Sequence, residues 1–270
     1  MSGYPSVPKC FLDAVDQYAN PRAQVHRGAK GWQAVSSKEM LRRVAGLAKA
    51  LGALGVHPGD RVGIFAPNCP EWHVADFAIQ GLGGVTVPVY FHESPDRLTY
   101  ILRDSGARIA VTVGAAQAEE LAKCRKDLPQ LEQMICARAP AGMQSDILRY
   151  ETLIGAASDK EVATYRQRAA EVTSDQLATI IYTSGTTGEP KGVMLSHANL
   201  TSNATDFNDE FGLSPADTAL SLLPLAHVYE RTIDYGYLFH GVTVAYVEQL
   251  ETAAGALLGK RSEKAAARHR

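Results

Sequence analysis

Tyr182-Thr183-Ser184-Gly185-Thr186-Thr187-Gly188-Glu189-Pro190-Lys191-Gly192-Val193 is the stretch around which the rest of the chain is read. Before it, Leu177-Ala178-Thr179-Ile180-Ile181-Tyr182 is apolar and rich in β-branched residues, which predicts a buried strand. After it, Gly192-Val193-Met194-Leu195-Ser196-His197 predicts a second strand. The loop between them carries four hydroxyl side chains, two glycines and one lysine. Gly185 and Gly188 let the backbone turn tightly and approach a ligand. Successive amides in such a turn cradle an anion, and the hydroxyls of Thr183, Ser184, Thr186 and Thr187 add donors. Lys191, behind the stiff Pro190, adds a positive charge, so the stretch has the chemistry to hold a polyphosphate.

A Walker-type loop, G-x-x-x-x-G-K-[ST], does not fit. Pro190 precedes the lysine where glycine is required, Gly192 follows it where a magnesium-binding hydroxyl is required, and the loop leads into a strand instead of a helix. That spacing argues against a nucleotide-binding kinase. A plain Gly/Thr hairpin explains the glycines, but not their combination with hydroxyls and Pro-Lys-Gly.

The stretch resembles the signature phosphate loop of the adenylate-forming superfamily, which includes acyl-CoA synthetases, adenylation domains and luciferases. Gly59-Asp60-Arg61-Val62, Asn68-Cys69-Pro70-Glu71-Trp72 and Gly83-Gly84-Val85-Thr86-Val87-Pro88-Val89 resemble its N-terminal framework, and the likeness runs over residues 10–254.

The chain in order agrees. Ser36 and Glu39 form a capping-box pattern ahead of Met40, Val44, Leu47, Leu51 and Leu54 at helical spacing, and residues 11–56 read as helices. Strands follow at Arg61–Ala66, Val85–Val89, Ile109–Val113 and Gln133–Cys136, with helical segments between them. This alternation predicts an α/β fold with a largely parallel sheet flanked by helices. Residues 138–176 lose periodicity and read as a surface excursion with one short helix, marking a subdomain boundary. Beyond the loop come a helix begun by His197 and Asn199, a strand over Thr218–Leu223, a helix over Val228–Phe239 and a strand over Val242–Val247. Residues 255–270 read as a basic, Ala-rich tail after a truncated AMP-binding domain over 1–254.

Composition excludes some classes. At 270 residues and 46% hydrophobic content the chain can bury a full core. Twenty-seven basic against 29 acidic residues leave a net charge of −2, so nothing draws nucleic acid. Cys10, Cys69, Cys124 and Cys136 have no metal or disulfide spacing and read as free thiols of a reducing cytosol. No run approaches the ~20 apolar residues of a membrane span.

A second constellation is Leu223-Pro224-Leu225-Ala226-His227-Val228-Tyr229-Glu230-Arg231. His227 stands just past a strand end, where ligands gather in open α/β sheets, although a lone histidine among apolar residues also suits a core. Glu230-Arg231 reads equally as a surface ion pair. The resemblance favours the ligand reading. Family members carry a Leu-Pro-x-x-His motif bordering the acyl site, and the His-Val-Tyr-Glu-Arg continuation looks most like the long-chain fatty acyl-CoA synthetase branch.

The resemblance implies a two-step ligase. A fatty carboxylate attacks the α-phosphorus of ATP, pyrophosphate leaves, and coenzyme A captures the acyl-adenylate. It assigns Thr183, Ser184, Gly185, Thr186, Thr187, Gly188 and Lys191 to the nucleotide, and Thr183 or Ser184 to Mg2+. Lys191 and His227 become the catalytic candidates, His227 beside the fatty acid. A cytoplasmic protein with peripheral membrane contact is expected.

The family's next motif, Tyr-Gly-x-Thr-Glu, has no counterpart; Tyr235-Gly236-Tyr237-Leu238-Phe239 does not match it. The sequence therefore reads as the N-terminal part of a synthetase, inactive alone and expected to pair with a C-terminal half or with itself. The alternative is a non-catalytic binding remnant.

Overall fold

The computed structural model describes residues 3–28, 31–183 and 189–247. Its larger sheet has seven strands: β3 (Arg61–Phe65), β4 (Val85–Val89), β5 (Ile109–Val113), β6 (Gln133–Ala137), β7 (Ile147–Arg149), β8 (Leu177–Thr183) and β9 (Lys191–Ser196). They lie in the order β7-β6-β5-β3-β4-β8-β9, and every pairing is parallel except β8 with β9. The fold is α/β, as expected. β4 and β5 are buried at every residue, which is why they read as runs rich in β-branched residues without alternation.

A second sheet joins β1 (Gln24–Gly28), β2 (Gly31–Val35), β10 (Thr218–Ser221) and β11 (Thr243–Tyr246) in the order β10-β11-β1-β2. β1 and β2 pair antiparallel within the segment read as wholly helical, which corrects that reading. Their sequences, QVHRG and GWQAV, hold one β-branched residue each and β2 is mostly exposed, so neither periodicity nor β-branched content announces them.

The α-helices of the described residues are α1 (Val7–Tyr18), α2 (Ser37–Ala53), α3 (Pro70–Gly81), α4 (Pro95–Ser105), α5 (Ala115–Cys124), α6 (Tyr150–Ile154), α7 (Asp159–Glu171), α8 (His197–Phe211) and α9 (Val228–Phe239). Ser36 caps α2 by accepting from the Glu39 amide at 3.1 Å. Nearly every side chain of α3 is buried, and its apolar ones pack on all sides. The Phe77 ring stacks on Phe11 of α1 at 4.3 Å between centroids.

Residues 138–176 are not a surface excursion. β7 extends the large sheet, and a thirteen-residue helix over Asp159–Glu171 starts at a complete Ser158/Glu161 capping box. Its Tyr165 is buried and donates to the Phe77 carbonyl at 2.9 Å. A Cβ at Gly81 would come within 2.3 Å of that ring, so glycine permits the contact. Few apolar residues face inward on this helix, which is why its periodicity is weak. The basic tail lies outside the described residues.

Candidate functional site

Thr183 ends β8 and Lys191 begins β9, and the two are direct cross-strand partners. Ser184, Gly185, Thr186, Thr187 and Gly188 join these ends and lie outside the described residues. Pro190 is buried, whereas Thr183 and Lys191 are exposed beside each other. One step down the ladder Tyr182 pairs with Gly192, where a Cβ would lie 2.8 Å from Ile180 Cγ2 and 3.2 Å from Tyr182 Cζ. The Tyr182 hydroxyl donates to Asp104 Oδ2 of α4 at 2.6 Å, and Tyr100 meets its ring edge-on at 6.3 Å. Burial, then the Asp104 contact, raises the Tyr182 phenol above its ordinary range. A cavity of about 490 Å³ opens here between Arg97, Tyr100 and Arg103 on α4 and Glu189-Pro190 on the loop exit.

His227 is the residue that begins α9, in extended conformation, with its carbonyl accepting from the Arg231 amide at 3.2 Å. Its loop is fastened by Asn68, just past β3. Asn68 Nδ2 donates to the Leu223 carbonyl at 2.7 Å and to Ser221 Oγ at 3.0 Å, and its Oδ1 accepts from the Leu225 amide at 3.0 Å. The His227 ring lies 6.2 Å from that of Tyr90, immediately after β4. β4 and β8 run parallel with Thr86 beside Thr179, so counting four residues on along each reaches Tyr90 and Thr183. The topology thus brings His227 and the Thr183–Lys191 pair to the carboxyl ends of two adjacent strands, where open α/β sheets bind ligands. Leu222, Leu223, Val228 and Tyr229 expose apolar surface around the histidine.

Arg231 is no surface residue. It is fully buried, with Nε 3.1 Å from Asp76 Oδ2 and Nη2 2.5 Å from Oδ1. Its Nη1 donates to Thr179 Oγ1 of β8 at 2.7 Å, and its guanidinium lies over the Trp72 ring at 5.4 Å. Tyr235, Gln80 and Thr86 also donate to Asp76. Glu230, equally buried, accepts from the Leu222 amide at 2.6 Å, and burial pushes its carboxyl up. The sequence offered one hint of this network, polar Asp76 and Gln80 one turn apart among the apolar residues that follow His73 in α3.

His197 and Asn199 do start α8, with Asn199 Oδ1 accepting from the Ser196 amide at 3.0 Å. All four cysteines are free and buried. Among the described residues no group of three or more His, Cys, Asp or Glu could hold a metal ion. Thr183 offers one hard oxygen, which suits Mg2+ only as a partner to ligand phosphates. No helix among the described residues is long and apolar enough to cross a membrane.

The model of the AMP-binding enzyme family matches residues 11–262. Long-chain-fatty-acid–CoA ligase FadD15 of Mycobacterium tuberculosis is 34% identical over 223 residues, covering 82% of this chain and 36% of the relative. Long-chain-fatty-acid–CoA ligase ACSBG1 of Rattus norvegicus is 29% identical over 234 residues, covering 85% and 32%. The chain spans about a third of the length of these curated relatives. Among solved structures, the N-terminal domain of FACL13 from Mycobacterium tuberculosis superposes with a TM-score of 0.70 at 25% identity, over 91% of this chain and 58% of that one. The anthranilate CoA ligase AuaEII, solved with anthranoyl-AMP, shares the fold with a TM-score of 0.81 at 22% identity, over 94% and 47%.

Proposed function

The chain belongs to the AMP-binding enzyme family, and on that premise we propose that it carries the ATP-phosphate and acyl sites of a long-chain fatty acid–CoA ligase. The observation that carries this reading is the shared strand end, with Thr183 opposite Lys191 on one side and His227 against Tyr90 on the other. Thr183, Ser184, Gly185, Thr186, Thr187, Gly188 and Lys191 bind the nucleotide, with Thr186, Thr187, Gly188 and Lys191 on its β- and γ-phosphates. Lys191 neutralises charge as pyrophosphate leaves, the kind of help that phosphoryl chemistry needs most. Thr183 or Ser184 would be the chain's partner to Mg2+, which when bound would neutralise charge on the phosphates. His227 borders the fatty carboxylate, and the exposed Leu222, Leu223, Val228 and Tyr229 line the path of the alkyl chain. Coenzyme A then takes the acyl group as thioester.

The deciding experiment is ATP–pyrophosphate exchange against a panel of fatty acids. It is run on the chain alone and on the chain supplied with the C-terminal part of a curated relative. Fatty-acid-dependent exchange in the complemented protein is the expected result. Nucleotide binding without exchange in either arrangement would instead make this a binding module.

A further inference from the structure

Two described residues beside the phosphate loop, to which the resemblance assigns no role, are Tyr182 and its partner Asp104. Tyr182 immediately precedes Thr183, and its cross-strand partner Gly192 immediately follows Lys191. Its ring therefore lies one step below the Thr183–Lys191 pair, across both strands that carry the loop. The ring passes close over Gly192, where a Cβ would meet Cζ at 3.2 Å and the hydroxyl oxygen at 3.4 Å. From there the hydroxyl reaches the carboxylate of Asp104 at 2.6 Å. α4 holds that acceptor firmly: Ser94 caps its start by accepting from the Arg97 amide, and Gly106 ends it at φ 66°. The Tyr100 ring, one turn before Asp104, closes the other side.

β9 is the edge strand of the large sheet, and its residues 191–194 are exposed. An edge strand has a ladder on one side only, so β9 is held through β8, which pairs with β4 at Thr86–Thr179; nearer the loop, the contact from Tyr182 to α4 ties β8 to a third element. A loop that binds by placing several donors on one ligand loses affinity steeply when its base can shift, because the ligand must then supply the ordering.

We propose that Tyr182 and Asp104 form a positioning pair for the phosphate loop: their hydrogen bond, made over Gly192, fixes the base of the hairpin so that Thr183 and Lys191 face one triphosphate. The pair touches no ligand itself. The proposal rests on the nucleotide reading of this loop given above.

The test combines Mg-ATP titration with hydrogen exchange on peptides covering residues 189–196, in the 270-residue chain. The variants are Tyr182→Phe, which keeps the ring and loses the hydroxyl, and Asp104→Asn, which keeps an acceptor. Tyr182→Phe should bind Mg-ATP about tenfold more weakly, because the ligand must then order the hairpin base itself. It should also speed exchange over 189–196 in the ligand-free chain, with no shift in the thermal midpoint of the whole molecule. Asp104→Asn, with the Tyr182 hydroxyl and an acceptor both present, should keep most of the wild-type affinity and protection. A purely structural role predicts a lowered midpoint with affinity unchanged in the folded protein. Exchange over 189–196 identical in wild type and Tyr182→Phe would overturn the positioning pair, whatever the nucleotide does. Faster exchange in Tyr182→Phe with no wild-type Mg-ATP binding would leave a restrained hairpin base but remove the nucleotide, and with it the pair's role in positioning it.

Discussion

The guanidinium of Arg231 and the carboxylate of Asp76 meet side by side with neither reached by solvent, Nε to Oδ2 at 3.1 Å and Nη2 to Oδ1 at 2.5 Å. Arg231 lies one turn into the helix that His227 begins, and its third contact is Thr179 on the strand that ends at Thr183. One buried ion pair therefore joins the elements bearing the two halves of the site.

Breaking that pair should be costly. Arg231→Ala leaves a buried carboxylate without its counter-charge, and a loss of about 3–5 kcal/mol is expected. Asp76→Ala should cost at least as much, since it strands the donors of Arg231, Tyr235, Gln80 and Thr86 together. Urea unfolding at neutral pH measures both. A loss under about 1 kcal/mol for either would place the pair in a wetter setting than the structure gives.

A pH dependence follows from His197. It is buried, and its Nδ1 accepts from the Val7 amide at 3.4 Å, so the native ring is neutral. Burial first lowers its pKa, from 6.5 to about 4; the nearby Asp76 opposes that shift and Arg231 adds to it. The unfolded ring takes up a proton as pH falls below 6.5, while the native ring does not until about 4. The stability that His197 contributes is thus whole above pH 6.5 and drains away at about 1.4 kcal/mol per unit as pH falls towards 4. The stability advantage of wild type over His197→Asn should shrink by about 2 kcal/mol between pH 7 and pH 5. An advantage independent of pH would mean the native imidazole protonates freely.

The architecture was readable because its central strands are continuous apolar runs and its main helices carry caps. Val228–Phe239 came out to the residue, and the strand-loop-strand around Lys191 needed no tertiary information. The β1–β2 hairpin escaped because only Val25 and Val35 are β-branched and β2 is exposed over four of its five residues, so no alternation marks it. Arg231 escaped for a different reason. A charged residue beside another charged residue reads as solvated, and only the fold brings Asp76, far away in sequence, to neutralise it. Asn68 was read as part of the framework motif running to Trp72, but only the fold shows that it fastens the His227 loop.

His227 should serve the acyl substrate and not the nucleotide. It is exposed at a strand end beside Tyr90, among Leu222, Leu223, Val228 and Tyr229. In the complemented protein, His227→Ala should raise the fatty-acid KM or lower kcat about tenfold, with the Mg-ATP KM unchanged. A rise confined to the Mg-ATP KM would move the histidine to the other half of the site.

The most direct measurement is isothermal titration of the chain with Mg-ATP, comparing wild type with Lys191→Ala and Lys191→Arg. Wild type should show one saturable site, and Lys191→Ala should weaken it at least tenfold by removing a charge-assisted contact worth about 1.5–3 kcal/mol. Lys191→Arg should restore only part of the affinity, because a planar fork replaces a compact ammonium. Identical binding curves for wild type and Lys191→Ala, or no saturable binding by wild type, would contradict the assignment of this loop to a triphosphate.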